Sequence, residues 1–243
     1  MDVARDQREH WGRVYAEHPR MYGDRPSPVA RRAAAVLAER GGRSVLELGA
    51  GHGRDALWLG GQGFDVTATD FSPTGLEQLD AVAAERGLSG SVRTLLHDAR
   101  EPLPFDDASV DGVTAHMLLC MALSPDRIRA LVGEVARVLR PGGAFVYSVR
   151  HTGDAHYGQG VSHGDDIYEH GGFAVHFFDR ALVDELARGW ELSEVHPFEE
   201  GDLPRRLWRV AQFTVPAEER GHGAGLQGEA SSVGRGAAAT RRT

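Results

Sequence analysis

Short β-rich runs alternate with helix-forming segments through the middle of the chain, and this alternation limits the fold more than any other feature. The runs are SVLELG (44–49), FDVTATD (64–70), SVRTLLH (91–97), SVDGVTA (109–115) and GAFVYSV (143–149). Between them lie RDALWLGGQ (54–62), SPTGLEQLDAVAAERG (72–87) and SPDRIRALVGEVARVLR (124–140). Ser72-Pro73 and Ser124-Pro125 read as helix starts, with serine at the N-cap and proline at the first helical position. Ile128, Leu131, Val135, Val138 and Leu139 fall on one helical face, and Pro141-Gly142-Gly143 is expected to stop that helix. This spacing predicts a parallel sheet with helices on both faces. Helical segments at 3–18 and 27–40 precede it. ELSEVHPFEE and RRLWRVAQFTV follow it as two terminal strands, expected to form an antiparallel hairpin.

Composition removes several classes of function. A single cysteine, Cys120, cannot make an internal disulfide or a cysteine zinc cluster, and its apolar surroundings (HMLLCMAL) mark it as a core residue. The first thirty residues are charged throughout with no apolar signal core, and no run reaches the ~18 apolar residues of a membrane span. A cytoplasmic location is expected. The formal net charge of −8 disfavours non-specific binding to phosphate backbones, and no basic track with a stacking platform appears. Residues 217–243 hold one leucine, one valine, six glycines and no aromatic residue, so a disordered tail is expected there.

Glycine is in excess, 31 of 243 residues against a usual ~7%. Eight of these fall in 41–63, around the sequence VLELGAGHGRDA. A glycine-rich turn between a strand and a helix, at the switch point of a parallel sheet, is where nucleotide-like ligands bind. Its spacing here is Gly49-x-Gly51-x-Gly53, and position 54 is Arg where the dinucleotide fingerprint wants glycine or alanine. Glu47 precedes the turn, and a carboxylate there would repel a pyrophosphate. It would welcome an ammonium. Asp70 ends the second strand, 21 residues after Gly49, where an acid accepts hydrogen bonds from ribose hydroxyls. Asp98 closes the third strand at the same rim, in position to meet an adenine amino group. Three carboxylates at successive strand ends call for a hydrogen-bond-donating ligand with an adenosine, an ammonium and no phosphate. Each of the three could also serve as a helix cap.

VLELGAGHGRDA, VTATDFSPTGL, HDAREPLPF and RVLRPGGAFVYSV together resemble the successive motifs of the class I S-adenosylmethionine-dependent methyltransferases, over residues 43–150. The leading Trp11-x3-Tyr15 and Tyr22-Gly-Asp-Arg-Pro-Ser resemble the N-terminal cap of the tellurite-resistance and thiopurine methyltransferase-like branch. The resemblance implies an α/β, Rossmann-like, doubly wound seven-stranded sheet, mostly parallel, with a C-terminal antiparallel strand and helices on both faces. It also implies S-adenosylmethionine as cofactor. Carried over by position, Glu47 would orient the methionine amino group, and Gly49, Gly51 and Gly53 would admit the backbone close to it. Asp70 would take the ribose, Phe71 would border the adenine, and Asp98 with Ala99 would read the adenine edge. His116 and Met117 would lie beneath the sulfonium, His52 beside the cofactor, and Trp11 and Tyr22 over it. The organisation implied is an N-terminal helical cap (1–42), a methyltransferase domain (43–216) and the tail (217–243).

The segment 150–178, RHTGDAHYGQGVSHGDDIYEHGGFAVHFF, is expected to be a substrate-lid loop, since long irregular loops are uncommon and usually functional. Its histidines, at spacings of 5, 7, 7 and 6, match no metal-ligand signature, and no metal is expected. A protein base is needed only where the acceptor carries a proton that must leave. His151, just beyond the fifth strand, is the first choice as base, followed by His156 and Tyr157; ordinary polar loop residues are the competing reading. His97 and His196 read as structural. Enzymes that methylate exocyclic base amines usually carry Asn/Asp-Pro-Pro-aromatic after the fourth strand; here that position reads Ala115-His116-Met117-Leu118. The expected function is methyl transfer to a small molecule by in-line displacement, with O, N, S, C and a metalloid all open as acceptor atom. The competing readings are a non-catalytic or regulatory cofactor-binding protein on the same fold, and a different reaction with the same cofactor. A monomer or homodimer is expected, with no nucleic-acid or membrane partner.

Overall fold

The computed structural model describes residues 3–19, 21–201 and 205–215; the tail expected to be disordered, 217–243, lies outside them. The alternating segments form β1 (Ser44–Leu48), α3 (Arg54–Gly61), β2 (Asp65–Asp70), α4 (Pro73–Glu85), β3 (Val92–Leu96), β4 (Val110–His116), α5 (Pro125–Val138) and β5 (Leu139–Arg150). Helices α1 (Val3–Glu17) and α2 (Pro28–Arg40) precede them, and β9 (Trp190–Glu200) and β10 (Arg205–Thr214) close the described chain. The strands make one seven-stranded sheet in the order β3-β2-β1-β4-β5-β10-β9. The first five run parallel, whereas β10 is antiparallel to both β5 and β9. The strand order therefore reverses between β1 and β4, and the carboxyl ends of both strands open onto one crevice.

Alternate residues of each strand feed two cores. Val45, Val66, Ala68, Val146 and Phe213 pack under α2, α3 and α4 on one face. Leu46, Leu48, Val113, Phe145 and Tyr147 pack under α5 and α6 (Arg180–Leu186) on the other. Both faces are dry, which is why the central strands read as nearly continuous apolar runs. Ser72 and Ser124 cap α4 and α5 as their Ser-Pro pairs predict, each hydroxyl accepting a backbone N–H in the first turn. Ser27 does the same for α2.

Three features differ from the sequence expectation. Helix α5 stops at Val138, and Pro141–Gly143 belong to the irregular start of β5, where the register against β4 shifts. Helix α6 was not read from DRALVDEL, although Asp179 caps it by accepting from the Leu182 N–H. The segment 150–178 is not an irregular loop. It folds into a three-stranded antiparallel sheet, β6 (Val161–Gly164), β7 (Ile167–His170) and β8 (Phe173–His176). This small sheet is fastened to the chain after β4: Val175 bridges Met121, and buried His176 donates from Nδ1 to the Leu123 carbonyl at 2.7 Å.

The third glycine of the turn is placed by packing. Gly53 caps α3 at φ 86°, and a Cβ there would lie 2.3 Å from Cγ of fully buried Leu79 on α4. Left-handed backbone and overpacking add. Gly53→Ala is therefore expected to cost about 1–3 kcal/mol, read by urea unfolding; an unchanged midpoint would refute this account of the glycine.

Candidate active site

A cleft opens where β1 and β4 part. Strand ends supply its floor: Glu47, Gly49 and Gly51 at and beyond the end of β1, Asp70 and Phe71 at the end of β2, His116 and Met117 at the end of β4. The helical segments ahead of the sheet supply its roof, through Trp11, Tyr15 and Tyr22. His52 lies in the turn with its ring stacked on Tyr22, centroids 6.0 Å apart and planes 14° off parallel. The close approach demanded of the turn is visible at Gly51, at φ 56°, where a Cβ would sit 2.6 Å from the Tyr15 hydroxyl. Met117 holds a left-handed backbone at φ 58°, its N–H donating to Ser148. Such strain in a non-glycine residue persists where surrounding structure fixes it, and it clusters at functional sites.

The cleft is acidic. Glu47, Asp55 and Asp70 are among its walls, with Arg54 as the one lysine or arginine among the described lining residues. Two of the acids have protein partners. Asp55 accepts from Ser27 through both its N–H and its hydroxyl, at 2.7 and 2.5 Å. Asp70 accepts the N–H groups of Gly51 and Ser72, both at 2.8 Å. Burial still raises its pKa above the ordinary value against those amides. Glu47 is the exception. It is 4% exposed, and Oε2 has no hydrogen-bond partner among the described residues. Burial first, then Asp55 and Asp70, push its pKa well above the usual carboxylic acid range despite Arg54 and the Ala56 amide. A buried acceptor left unsatisfied is costly, and an entering ammonium would satisfy it. These residues fit the cofactor that the motifs imply.

A second cavity adjoins the cleft through shared walls at Trp11, Tyr22, Met117 and Met121. Its other walls come from β5, from the small sheet β6–β8 and from the end of the β9–β10 hairpin, among them Arg150, His156, Tyr168, His170, Phe173 and Arg205. Helix α1 is fixed over both spaces. Gln7 donates to the Gly172 carbonyl and accepts from the Ala174 N–H, while the Trp11 and Phe173 rings meet edge-on with centroids 5.2 Å apart.

Ten of the thirteen residues expected around the cofactor line the cleft; Gly53, Asp98 and Ala99 do not. Asp98 is instead bound by Arg100 and Arg8; burial opposes its ionisation, but those hydrogen bonds outweigh it and hold the carboxyl well below the usual range. Of the residues expected to act on the acceptor, His156 lines the second cavity. His151 and Tyr157 line neither space. His151 stacks on Trp208 at 4.6 Å, and its Nδ1 accepts from the Gly153 N–H. Tyr157 turns its hydroxyl to Asp166 at 2.8 Å. Residues just past β5 leave the sheet toward β10, so adjacency in sequence to the active rim does not carry His151 into it. Arg54, His170 and Arg205 are wall residues that the motifs do not assign, and Tyr15, which belongs to the Trp11-x3-Tyr15 motif, joins Trp11 in the wall of the cleft. His116 engages both ring nitrogens, with Ser148 Oγ at 2.8 Å and Glu200 Oε2 at 3.0 Å. Burial raises the Glu200 pKa, yet His116 and Arg54 draw it down to about 2.

This strand order, with an acid-lined cleft at its reversal, defines a class I methyltransferase fold. Residues 45–143 match the family described as methyltransferase domain. An O-methyltransferase of Aspergillus sclerotiorum is 31% identical over 188 residues, covering 77% of this chain and 61% of that protein. A demethylmenaquinone methyltransferase of Clavibacter sepedonicus is 38% identical over 119 residues, 49% of this chain and 44% of its own length. The chain thus spans about half the length of the curated relatives it matches. Among solved structures, the 1,6-didemethyltoxoflavin N1-methyltransferase of Burkholderia thailandensis, crystallised with 1,6-didemethyltoxoflavin and S-adenosylhomocysteine, superposes with a TM-score of 0.67 at 22% identity. That match covers 87% of this chain and 88% of that one. Over residues 45–143 the chain is thus similar to methyltransferase domains, and its fold is that of the class I enzymes.

Glu47 gives a signed prediction. Because its pKa is raised in the folded chain, ionising it costs stability, and the cost is absent below the unfolded value near 4.5 and grows as pH rises above it. Glu47→Gln should therefore stabilise the ligand-free protein by about 1–3 kcal/mol at pH 7, with the gain vanishing at pH 4, while weakening S-adenosylhomocysteine binding. Thermal unfolding across pH, with calorimetry of the ligand, checks both halves. A gain that is independent of pH would refute it.

Proposed function

We propose that this protein is an S-adenosylmethionine-dependent methyltransferase of the cytoplasm that methylates a small organic acceptor. The observation that carries the reading is the buried, unpartnered Oε2 of Glu47, set between Asp70 and the aromatic roof of Trp11, Tyr15 and Tyr22. Bound there, S-adenosylmethionine would supply an electrophilic methyl on a sulfonium, whose leaving group needs no protein acid. Glu47 receives the ammonium and Asp70 the ribose hydroxyls through its remaining lone pairs. Phe71 and Tyr22 border flat surface, and Met117 with Met121 forms the seam toward the second cavity. That cavity holds the acceptor.

The chain's own work is positioning and exclusion of water, the two terms that dominate when neither partner needs activation. Helix α1 and β6–β8 act together as the lid, the helix serving as the cap of the tellurite-resistance and thiopurine methyltransferase-like branch. Where the acceptor loses a proton, the receiving group is an imidazole of the second cavity. His170 is the better placed, since no hydrogen bond to the described residues occupies either ring nitrogen, whereas His156 Nδ1 lies 2.8 Å from the Arg150 guanidinium.

Calorimetry tests the reading. One site is expected for S-adenosylmethionine and for S-adenosylhomocysteine, and none for NAD. Asp70→Ala should weaken both by at least about tenfold, the scale of a lost hydrogen bond to a charged group. Binding of NAD in place of either would overturn the assignment.

A further inference from the structure

The two adjoining spaces differ sharply in charge. The cleft carries three carboxylates, whereas the second cavity has two arginines and two histidines among its walls and no acidic residue. This occurs in a chain of net charge −8, where a cavity free of acid is not the expectation from composition. The two guanidiniums are not equivalent. Arg150, 8% exposed, is neutralised from behind: Asp154, with a fully buried side chain, accepts from its Nε at 3.1 Å and its Nη2 at 2.5 Å. Asp154 is spent on that wall, accepting also the N–H groups of His156 and Arg206 at 2.8 Å. Arg205 has no carboxylate within ion-pair distance among the described residues. Its only polar contacts there are the Glu200 carbonyl, at a long 3.5 Å, and the Tyr22 hydroxyl. The nearby Glu200 carboxylate is taken by Arg54 and His116. Among the described residues, Arg205 is thus the guanidinium of this cavity that no carboxylate neutralises.

The remaining walls are largely apolar, and five of them are aromatic rings: Trp11, Tyr22, Tyr168, Phe173 and Phe177. The cavity has a volume of about 470 Å³, which is room for more than a single ring.

Resting on the methyltransferase reading above, we propose that the acceptor is a planar aromatic monoanion, an aryl carboxylic acid, whose carboxylate is bound by Arg205 while its ring lies among these aromatic walls. A guanidinium accepts a carboxylate through two parallel N–H donors. A dianion such as a phosphate monoester would bring a second negative charge for which no free cation stands ready. A neutral acceptor would leave Arg205 facing a desolvated cavity without a counter-charge.

The test is a matched set of ligands on the protein saturated with S-adenosylhomocysteine: 4-hydroxybenzoate, 1-hydroxy-2-naphthoate and 3-hydroxy-2-naphthoate, each beside its own carboxamide, measured by calorimetry. At least one acid is expected to bind tenfold or more tightly than its amide. Arg205→Gln should bring that ratio to within twofold of unity, and Arg205→Lys, which keeps the charge but not the fork, should retain only part of it. The proposal is overturned if no acid outperforms its amide, or if the ratio survives in Arg205→Gln. The wild-type ratio stands by itself should the variant not fold. Failure to bind S-adenosylhomocysteine at all would instead overturn the methyltransferase reading, so the two failures are told apart in the same experiment.

Discussion

A carboxylate kept in the dry end of β1 without a full set of partners is the constraint around which the rest of the site is arranged. Every other acid near it has been given something to do. Asp55 is turned away to cap the entrance of α2 through Ser27, Asp70 is held by the amides that start the glycine turn and α4, and Glu200 is occupied by Arg54 and His116. The N-terminus of α3 adds a favourable field at Glu47, but only the Ala56 amide reaches it directly. The remaining oxygen has no partner among the described residues, and a hydrogen-bonding cation would satisfy both its lone pairs and its charge.

The same contrast extends beyond the cleft. Acidic side chains gather at the strand ends, and the second cavity is walled by Arg150 of β5 and Arg205 of β10. Between the two stand Met117, Met121, Trp11 and Tyr22, which offer shape and polarisable surface with few hydrogen bonds. On the proposed reading, opposite charges on either side of an apolar seam would orient two unlike ligands end to end and keep water from the line between them. For a displacement that needs alignment more than acid–base help, that geometry is most of what a protein can contribute.

The parts legible in the sequence are those in which neighbours along the chain are neighbours in the site. The parallel sheet, its helices and the terminal hairpin were readable because apolar period and Ser-Pro starts are local signals, and the acids after β1 and β2 follow their strands directly. Asp98 shows the limit of that reasoning. It lies two residues beyond the end of β3, and Arg100, two residues on, and Arg8 on a distant helix claim its carboxylate. The strands of 150–178 were illegible for a different reason. Each is four residues long, and β6 is exposed along its whole length, so no apolar alternation marks it. His176, one of five histidines in that segment, is buried by a carbonyl 53 residues away and carries no trace of this in its neighbours. Arg205 reaches its cavity only because β10 returns beside β5.

This division has a physical consequence for how the site can change. The cleft is set by the ends of parallel strands, whose positions the two cores fix from both faces, so a shift there disturbs the whole sheet. The second cavity is assembled from a small edge-exposed sheet, the tip of a hairpin and a helix lying over them. These pieces meet mainly through side chains, as where Gln7 grips the backbone of β8 and its preceding turn and Trp11 meets Phe173. Helix α1 nevertheless belongs to both sides, because Trp11 walls the cleft and the second cavity alike. A ligand seated in either space braces the same helix against the same strand, and the ordering it imposes is ordering the other ligand no longer has to supply. The aromatic roof thus links two sites whose charges are opposite and whose floors share no strand end except that of β4.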